Sequence, residues 1–560
     1  MRANTAVAGL LEEMAVYLDL DGANSFRVRA YQNAAQTVSG TFSNVSSFSQ
    51  AELEALPGVG QKIAAHITEA LKTGTFSELE EMRKKFPPGV LALVQIPNVG
   101  PKRARTLFDK LAIDSVAKLE AAARAGKIRK LEGFGEKTEA HILSGIATAA
   151  KTAGRTLYFT AEEEAREIIS ELGIKAVAAG SLRRGKETVG DIDILCAARP
   201  DGGVTEKFTR LARVEEILSA GKTKASVRLS EGLQCDLRVV EESSFGAALL
   251  YFTGSKEHNI ALREHALSKG FSLNEYGLFK GEKLLASKTE EEIYKKLGLA
   301  FIPPELREGR DEISLAEKNA LPKLVELKDV KGDFHNHTNR SDGSDSFAEM
   351  ARAAAGQGWE WVALGDHTQS LGVAGGLSGK ELLEGKAELS AMQAKFPEIK
   401  LLRSAEVEIK KDGSLDISDE DLAKLDVVAA AVHSAFQLPR EEMTGRILRA
   451  AKNPHVDVIA HLTGRMIGRR EGYEVDCEKL FAESPAAFEI NGQPLRQDLS
   501  DAMARQAKAS GAVIAVSTDA HSTSQFDYMS QAVKTARRAG LEKKDILNCL
   551  SWEELSQRLK

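Results

Sequence analysis

Between residues 333 and 521, strand-like runs repeatedly end in a histidine or an acid, and this recurrence narrows the possible folds more than any other feature of the chain. The stretch "DFHNHTNRSDGSD" opens the series. In extended backbone His335 and His337 share a face, and Asp342 follows in a glycine turn. His367 follows "WVALGD", Glu406 lies in "KLLRSAEVEI", His433 in "VVAAAVHS", His461 in "VDVIAHL", and Asp519 and His521 in "AVIAVSTDAH". Helical patterns separate these runs. Alternation at that density predicts a parallel barrel, with functional side chains gathered at the strand C-termini. Nine such ligands on one edge could bind up to three divalent transition ions, Mn²⁺ or Zn²⁺ being best suited to mixed imidazole and carboxylate. Water bound between such ions becomes hydroxide near neutral pH and can attack a phosphodiester. Glu408 is the alternative to Glu406, whose run-end position is favoured. Asn491 and Arg496 in "EINGQPLRQD" are candidate phosphate-side contacts, whereas His455, His265 and His141 are read as core or surface residues.

A second cluster lies upstream in "GSLRRGKETVGDIDIL". Alternate strand residues share a face, so Asp191 and Asp193 point together while Ile192 and Ile194 point the other way. Two carboxylates that close repel unless a cation sits between them. "LQCDLRVV" supplies a third, Asp236, inside another strand pattern. The three could hold two Mg²⁺ or Mn²⁺ ions, one lowering the pKa of an attacking 3′-hydroxyl and the other binding a triphosphate. Gly180 and Ser181 offer backbone and hydroxyl donors, and Arg184 a guanidinium for phosphate oxygens. The runs "VAAGSLRRG", "VGDIDILCAA", "ASVRLS" and "LQCDLRVVE" read as strands of one mixed sheet, opened by the helix "TAEEEAREIISELG".

The first quarter repeats itself: "LPGVGQKIAAHI" (56–67), "IPNVGPKRARTL" (96–107) and "LEGFGEKTEAHI" (131–142). Each has an apolar residue, a glycine turn, a Lys two residues after the last glycine, then a helical pattern. Gly58 and Gly60, Gly100, and Gly133 and Gly135 would expose backbone N–H groups to a phosphate, with Lys62, Lys102 and Lys137 adding charge. Such a turn holds a nucleic-acid backbone without reading sequence. Charge agrees: residues 1–155 carry 20 Lys and Arg against 16 Asp and Glu, although the whole chain has a net charge of −6. Four cysteines without CxxC spacing point away from a zinc ribbon or disulfide framework, and toward a reducing cytoplasm. There is no run near 18 apolar residues and no basic-then-apolar leader, so no membrane partner is expected. The charged, Pro-containing stretch 306–328 lacks periodicity and is read as a linker that permits several domain arrangements.

The hairpin repeats look like helix-hairpin-helix motifs. With GS, RRG, GDID and the later strand Asp, residues 1–320 resemble a family X DNA polymerase of the nucleotidyltransferase superfamily. The resemblance implies helix-hairpin-helix regions at 1–80 and 81–155, a palm at 156–245 and a thumb at 246–320. In "LLYFTGSKEHNIALREHA" it implies that Tyr251, Phe252 and Gly254 line the sugar pocket, Asn259 touches the minor-groove edge of the base and Arg263 contacts the template, with Gly190 grouped on the nucleotide side. "FSLNEYGLF" (271–279) matches the thumb. Lys256 stands where the family's vertebrate repair members carry Asp, so contacts to the incoming base differ. His66 replaces the Schiff-base lysine of those members, and Asn33 and Glu78 replace auxiliary lysines. A histidine cannot form the imine, so 5′-deoxyribose-phosphate lyase action by that route is expected to be absent or poor.

Residues 328–560 resemble the polymerase and histidinol phosphatase (PHP) domain, a distorted (βα)7 barrel. Leu462 replaces a usual proline and Gly365 a usual threonine, but no ligand is lost. The resemblance implies 3′–5′ exonuclease activity, with abasic-site endonuclease or 3′-phosphatase action as alternatives. The expectation is therefore a monomeric, cytoplasmic, bacterial-type repair enzyme acting on gapped or primer-template DNA and dNTPs. The rivals are a phosphoesterase whose polymerase-like half only grips DNA, and a non-catalytic DNA-end scaffold.

Overall fold

The computed structural model describes residues 2–40, 45–96, 99–152, 154–199, 202–230 and 232–559. Helices account for the regular structure of the described residues up to Thr152. In the glycine turns the middle residue is the anchor: Val59, Val99 and Phe134 are buried in one core that runs from Val7 to Ile146. Gly58 (φ 72°) and Gly133 (φ 81°) take the left-handed conformation that turns the chain into the next helix. Pro97 and Asn98 of the second hairpin lie outside the described residues.

The next unit is a five-stranded mixed sheet whose spatial order is Ala176–Ala178, Asp191–Ala197, Gln234–Val240, Lys224–Leu229, Val214–Ala220. The two acid-bearing strands run parallel, and the remaining pairs are antiparallel. Two details differ from the sequence reading. The run "VAAGSLRRG" is a strand only as far as Ala178; Gly180–Arg183 is a helical turn entered through Gly180 at φ 58°. Val214–Ala220 is an additional edge strand that was not expected, because "VEEILSA" packs little of its surface and lacks a clean apolar alternation. Three helices and a three-stranded antiparallel sheet (Ser272–Asn274, Gly277–Lys280, Lys283–Ala286) follow around their own core.

The C-terminal half is a seven-stranded, all-parallel sheet in sequential order from Gly332–Asp333 to Ile514–Ser517. A parallel bridge between Asn336 and Ala520 brings the last strand back to the first, closing a barrel of the PHP type. Small side chains alternate inward: Ala363, Ala429, Ala431, Ala487 and Ala515 fill the interior, while Val362, Leu364, Val428 and Ala430 meet the surrounding helices.

The stretch 306–328 is not a free linker. Arg307 is fully buried, 2.6 Å from Glu290 and lying over the rings of Tyr294 and Phe301. Glu308 accepts from Arg184 (3.2 Å) in the palm and Arg538 (3.0 Å) in the barrel, with Lys186 at 2.8 Å. Glu312 binds the buried His258. Arg307 and Glu312 are met inside the thumb, whereas Glu308 is met by charges of the palm and of the barrel, so the segment joins palm, thumb and barrel in one arrangement.

Candidate metal centres

In the palm, Asp193 and Asp236 are register partners across the parallel strand pair, and Asp191 stands one alternate position earlier. Ile192 and Ile194 are buried on the opposite face. Burial, and then the charges of Asp191 and Asp236, push the Asp193 carboxyl up to about 6; burial and Asp236 also raise Asp191. Three carboxylates on one face, two of them held above the usual carboxylate range, form a site suited to cations. Gly180 is shaped for this arrangement: a Cβ there would lie 2.3 Å from Asp193 Oδ2. Gln234 Nε2 donates to Asp236 Oδ1 (3.0 Å).

Apart from Gly190, the residues expected to face a nucleotide lie on the helical turn Gly180–Arg183 and the helices Phe245–Thr253 and Lys256–Ser268, or directly beside them. Arg184 Nη1 donates to the Thr253 carbonyl (2.5 Å), lies 3.1 Å from where a Gly254 Cβ would stand and pairs with Glu308, so much of its guanidinium is engaged within the protein. Its neighbour Arg183 is held by Glu290 and Thr253. Ser181 begins the turn after Gly180, and Gly190 is exposed just before Asp191. Tyr251 and Phe252 meet edge to face at 5.1 Å, with Arg238 over the Phe252 ring at 4.7 Å. Asn259 Nδ2 donates to the Tyr251 carbonyl (2.7 Å), and Arg263 lies with both beside a small cleft.

Along the helical region, Gly60 and Gly100 begin their helices with no side-chain cap, leaving first-turn N–H groups for an outside acceptor. Lys62 is paired with Glu78 at 2.8 Å. His66, stacked on Phe76 at 4.5 Å, meets Tyr31 Oη through Nδ1 (2.9 Å) and Glu78 through Nε2 (3.4 Å).

At the barrel's C-terminal edge all nine expected side chains converge. They form four overlapping groups: His337, Asp342, His367 and His521; His335, His337 and Asp519; His335, Glu406 and His461; and His367, Glu406 and His433. Glu406 is central. Its Oε1 lies 2.7 Å from His461 Nε2 and 3.2 Å from His433 Nε2; its Oε2 lies 2.9 Å from His367 Nδ1 and 3.4 Å from His335 Nε2. Most of these side chains follow the inward parity, since Ala363, Leu402, Ala429, Ala487 and Ala515 share faces with His367, Glu406, His433, Glu489 and Asp519. His461 does not, because Val458 and Ala460 are the inward pair. Its left-handed backbone (φ 27°) marks the break in alternation, and Asp519 is also left-handed (φ 53°). Backbone strain of this kind concentrates at functional sites.

The donor set fits divalent metal. His337 Nδ1, His367 Nδ1, Glu406 Oε2 and His433 Nε2 are buried without a hydrogen-bond partner. The 2.9 Å approach of His367 Nδ1 to Glu406 Oε2 thus lacks hydrogen-bond geometry, which leaves two buried polar atoms side by side without a hydrogen-bond partner. Burial pushes His337 down to about 4, while Glu406 and Asp342 outweigh burial and hold His367 up at about 10. Protons thus stand in for cations among these groups, and metal binding would displace them.

Sequence reasoning missed Glu489 and Asp366 among the residues that orient this cluster, and gave Glu408, Asn491 and Arg496 other roles, as an alternative ligand and as phosphate-side contacts. Glu489 accepts from His335 Nδ1 (2.7 Å) and from the His461 backbone N–H (2.7 Å). Its signal was present as the only acid inside the apolar strand "AFEING". Glu408 accepts from His433 Nδ1 (2.9 Å), which makes it a support for His433, while Glu406 takes the centre. Asp366, buried against Arg403 at 2.8 Å, accepts from Thr338 and Ser341 and so braces the loop that carries Asp342. Arg496 pairs with Asp519 (3.1 Å), and Asn491 Nδ2 donates to both Asp519 and Glu489 at 3.1 Å. Gly365 is where it is because a Cβ would come 2.7 Å from the Asn336 carbonyl.

A three-carboxylate palm joined to an imidazole-rich barrel defines a class of two-centre, metal-dependent enzymes of phosphate-ester chemistry. Three family models match within the chain: a helix-hairpin-helix domain over residues 2–76, a SAM-like helix-hairpin-helix tandem over 90–148, and the DNA polymerase beta thumb over 248–308. The chain is 36% identical over 563 residues to the DNA polymerase/3′-5′ exonuclease PolX of Bacillus subtilis (strain 168), covering 98% of both proteins. It is 28% identical to DNA polymerase lambda of Rattus norvegicus, over 54% of this chain and 56% of that one. A protein of Thermoanaerobacter sp. (strain X514) described as a "Probable phosphatase" is 30% identical over 230 residues, 39% of this chain and 89% of its own length. The chain belongs to the family X DNA polymerases, in the bacterial PolX branch that carries a PHP barrel.

Proposed function

We propose that the chain is a repair-type DNA polymerase that fills short gaps and carries a metal-dependent 3′–5′ exonuclease in its barrel. The observation that carries the reading is the pairing of Asp193 with Asp236 in adjacent parallel strands, with Asp191 on the same face. Divalent cations at either centre supply Lewis acidity, lowering the pKa of a 3′-hydroxyl or water and offsetting charge on phosphate oxygens.

Asp191, Asp193 and Asp236 would hold Mg²⁺ or Mn²⁺. Gly180 lets the carboxylate lie against backbone, and Ser181 and Gly190 present donors beside it. Tyr251, Phe252 and Gly254 form the wall for sugar, with Asn259 and Arg263 directed to base and template. The uncapped helix starts after Gly60 and Gly100, and the turn at Gly133 and Gly135, grip DNA phosphates, with Lys62, Lys102 and Lys137 adding charge. In the barrel the nine ligands would hold up to three Mn²⁺ or Zn²⁺ ions, Glu489 and Glu408 fixing the rings of His335 and His433. Abasic-site cleavage and 3′-phosphate removal are further reactions of the same centre. The working units are residues 1–80, 81–155, 156–245, 246–320 and 328–560, in a cytoplasmic monomer. Among the described residues no helix is long and apolar enough to cross a membrane.

Asp191→Ala tests the assignment on gapped DNA: dNTP incorporation disappears while Mn²⁺-dependent exonuclease action persists. His337→Ala gives the reverse. Exonuclease at full rate in the second variant would refute the barrel assignment. A phosphoesterase that merely grips DNA predicts no incorporation by the unmodified protein, and a scaffold predicts neither activity.

A further inference from the structure

The phosphate-side arginine of the palm is tied to the barrel at both of its ends. Arg184 follows the helical turn Gly180–Arg183, and its backbone carbonyl accepts from Nη1 of Arg538 (2.7 Å), the last residue of the barrel helix Met529–Arg538. Its guanidinium donates through Nε to Glu308 Oε1 (3.2 Å), the oxygen that also accepts from Arg538 Nη1 (3.0 Å). Gly185 continues the chain at φ 69°, where a Cβ would lie 2.5 Å from Lys534 Cγ on the same barrel helix. The barrel thus stands directly against the turn that carries Arg184.

Charge decides what these contacts do. One largely buried carboxylate, Glu308, faces three cations: Arg184, Arg538, and Lys186 at 2.8 Å from Oε2. Against burial, which would raise it, Lys186 and Arg538 hold the Glu308 carboxyl down at about 2. Glu308 is therefore compensated without Arg184, whose bond to it is the surplus one. Among the described residues Arg184 Nη2 has no hydrogen-bond partner, and the charge of Arg184 reaches Asp193, whose ionised form it favours. An approaching triphosphate competes with Glu308 for this guanidinium. It does so more readily the better Glu308 is neutralised by the other two cations.

We propose that Arg538 is a positioning residue for polymerisation: by neutralising Glu308 and bonding the Arg184 carbonyl, this barrel side chain lets the Arg184 guanidinium pass from Glu308 to the phosphates of an incoming dNTP. Without Arg538 the carboxylate relies on Arg184 instead, and the nucleotide must displace a stronger ion pair. The barrel then serves two reactions, its own at the ligand-bearing edge and nucleotide binding in the palm through Arg538. The inference rests on the polymerase reading, with Arg184 as its phosphate contact.

The test is single-nucleotide gap filling by the full-length protein with Mg²⁺, with kcat and the dNTP KM measured separately and Mn²⁺-dependent exonuclease action as the check on the barrel. Arg538→Gln is expected to raise KM about tenfold, the size of one charge-assisted hydrogen bond, with little change in kcat. Arg538→Lys keeps the charge and stays near the unmodified KM. Glu308→Gln, which removes the competitor, lowers KM below the unmodified value, and in the Arg538→Gln background it brings KM back to within about twofold of that value. Glu187→Gln breaks a separate palm–barrel ion pair, to Arg465 at 2.7 Å, and leaves KM unchanged. An unchanged KM in Arg538→Gln, a rise that Glu308→Gln does not reverse, or an equal rise in Glu187→Gln overturns the proposal. If Arg538→Gln loses exonuclease action and with it the barrel's fold, Glu308→Gln alone decides: a raised KM there means that Glu308 holds Arg184 in place for the nucleotide, and the proposal is overturned. No incorporation by the unmodified protein, with exonuclease action intact, overturns the polymerase reading itself.

Discussion

Gly180→Ala isolates the palm centre through a single methyl group. The added Cβ would lie 2.3 Å from Asp193 Oδ2, and ordinary contact begins at 3.4 Å, so the carboxylate must swing by about 1 Å. Position 180 also has φ 58°, which costs an alanine about 1–2 kcal/mol. The stability loss is modest, because the obstructed group is the far end of a side chain that can rotate. The catalytic loss is larger: displacement of a reacting group by about 1 Å lowers rate on the order of 100-fold. Single-nucleotide gap filling measures it, with Mn²⁺-dependent exonuclease action as the internal reference, expected unchanged. Gly173→Ala is the control, since it has the same handedness (φ 64°) but only Lys207 Nζ at 3.9 Å from the new Cβ, and it is expected to retain gap filling. Gap filling at the unmodified rate by Gly180→Ala would refute the argument that Asp193 must rest against bare backbone.

Four further outcomes are expected. Arg403→Met leaves Asp366 buried without its cation and destabilises the barrel by about 3–5 kcal/mol, read by urea unfolding; a shift below about 1 kcal/mol would count against that pair. Glu489→Gln weakens metal binding in the barrel about 10- to 100-fold in calorimetric titration with Mn²⁺, with gap filling intact; equal affinity would remove Glu489 from its orienting role. Because the folded-state pKa of Asp193 is raised to about 6, its contribution to stability is present below about pH 4 and lost as pH rises through about 6. In EDTA, Asp193→Asn therefore raises the unfolding free energy at pH 7 by an amount of order 3 kcal/mol but not at pH 4, read as a higher melting temperature at pH 7 alone, and Mg²⁺ reverses the ranking. Borohydride trapping on an incised abasic site yields no adduct within residues 1–80, since His66 holds the amine's place; a strong adduct there would contradict this.

Much of the site was legible because strand periodicity is local. Two residues with a common parity face the same way whatever the rest of the chain does, so Asp191 with Asp193 could be read directly, as could His335 with His337. The recurrence of ligands at run ends likewise pointed to one barrel edge. His461 shows the limit, since it reaches the cluster from a position whose parity points outward, where the backbone turns left-handed. Glu489 shows another: a buried acid that orients a ligand looks in sequence like any charged residue in a strand. The stretch 306–328 failed for a related reason, because its charges find partners outside it, Arg307 with Glu290 and, much farther along the chain, Glu308 with Arg184 and Arg538.

The amino-acid sequence by itself determined which side chains face together within each strand, where the helices of the hairpins begin, and that two groups of metal-ligating residues exist. Those properties depend on neighbours a few positions apart. Only the tertiary structure decided that Glu406 and not Glu408 takes the centre, that Asp236 stands beside Asp193, and that palm and barrel are locked through a segment without periodicity. Each of those depends on which distant atoms come within hydrogen-bonding or ion-pairing distance, about 3 to 4 Å, and that is set by how remote segments pack and not by neighbours in the chain.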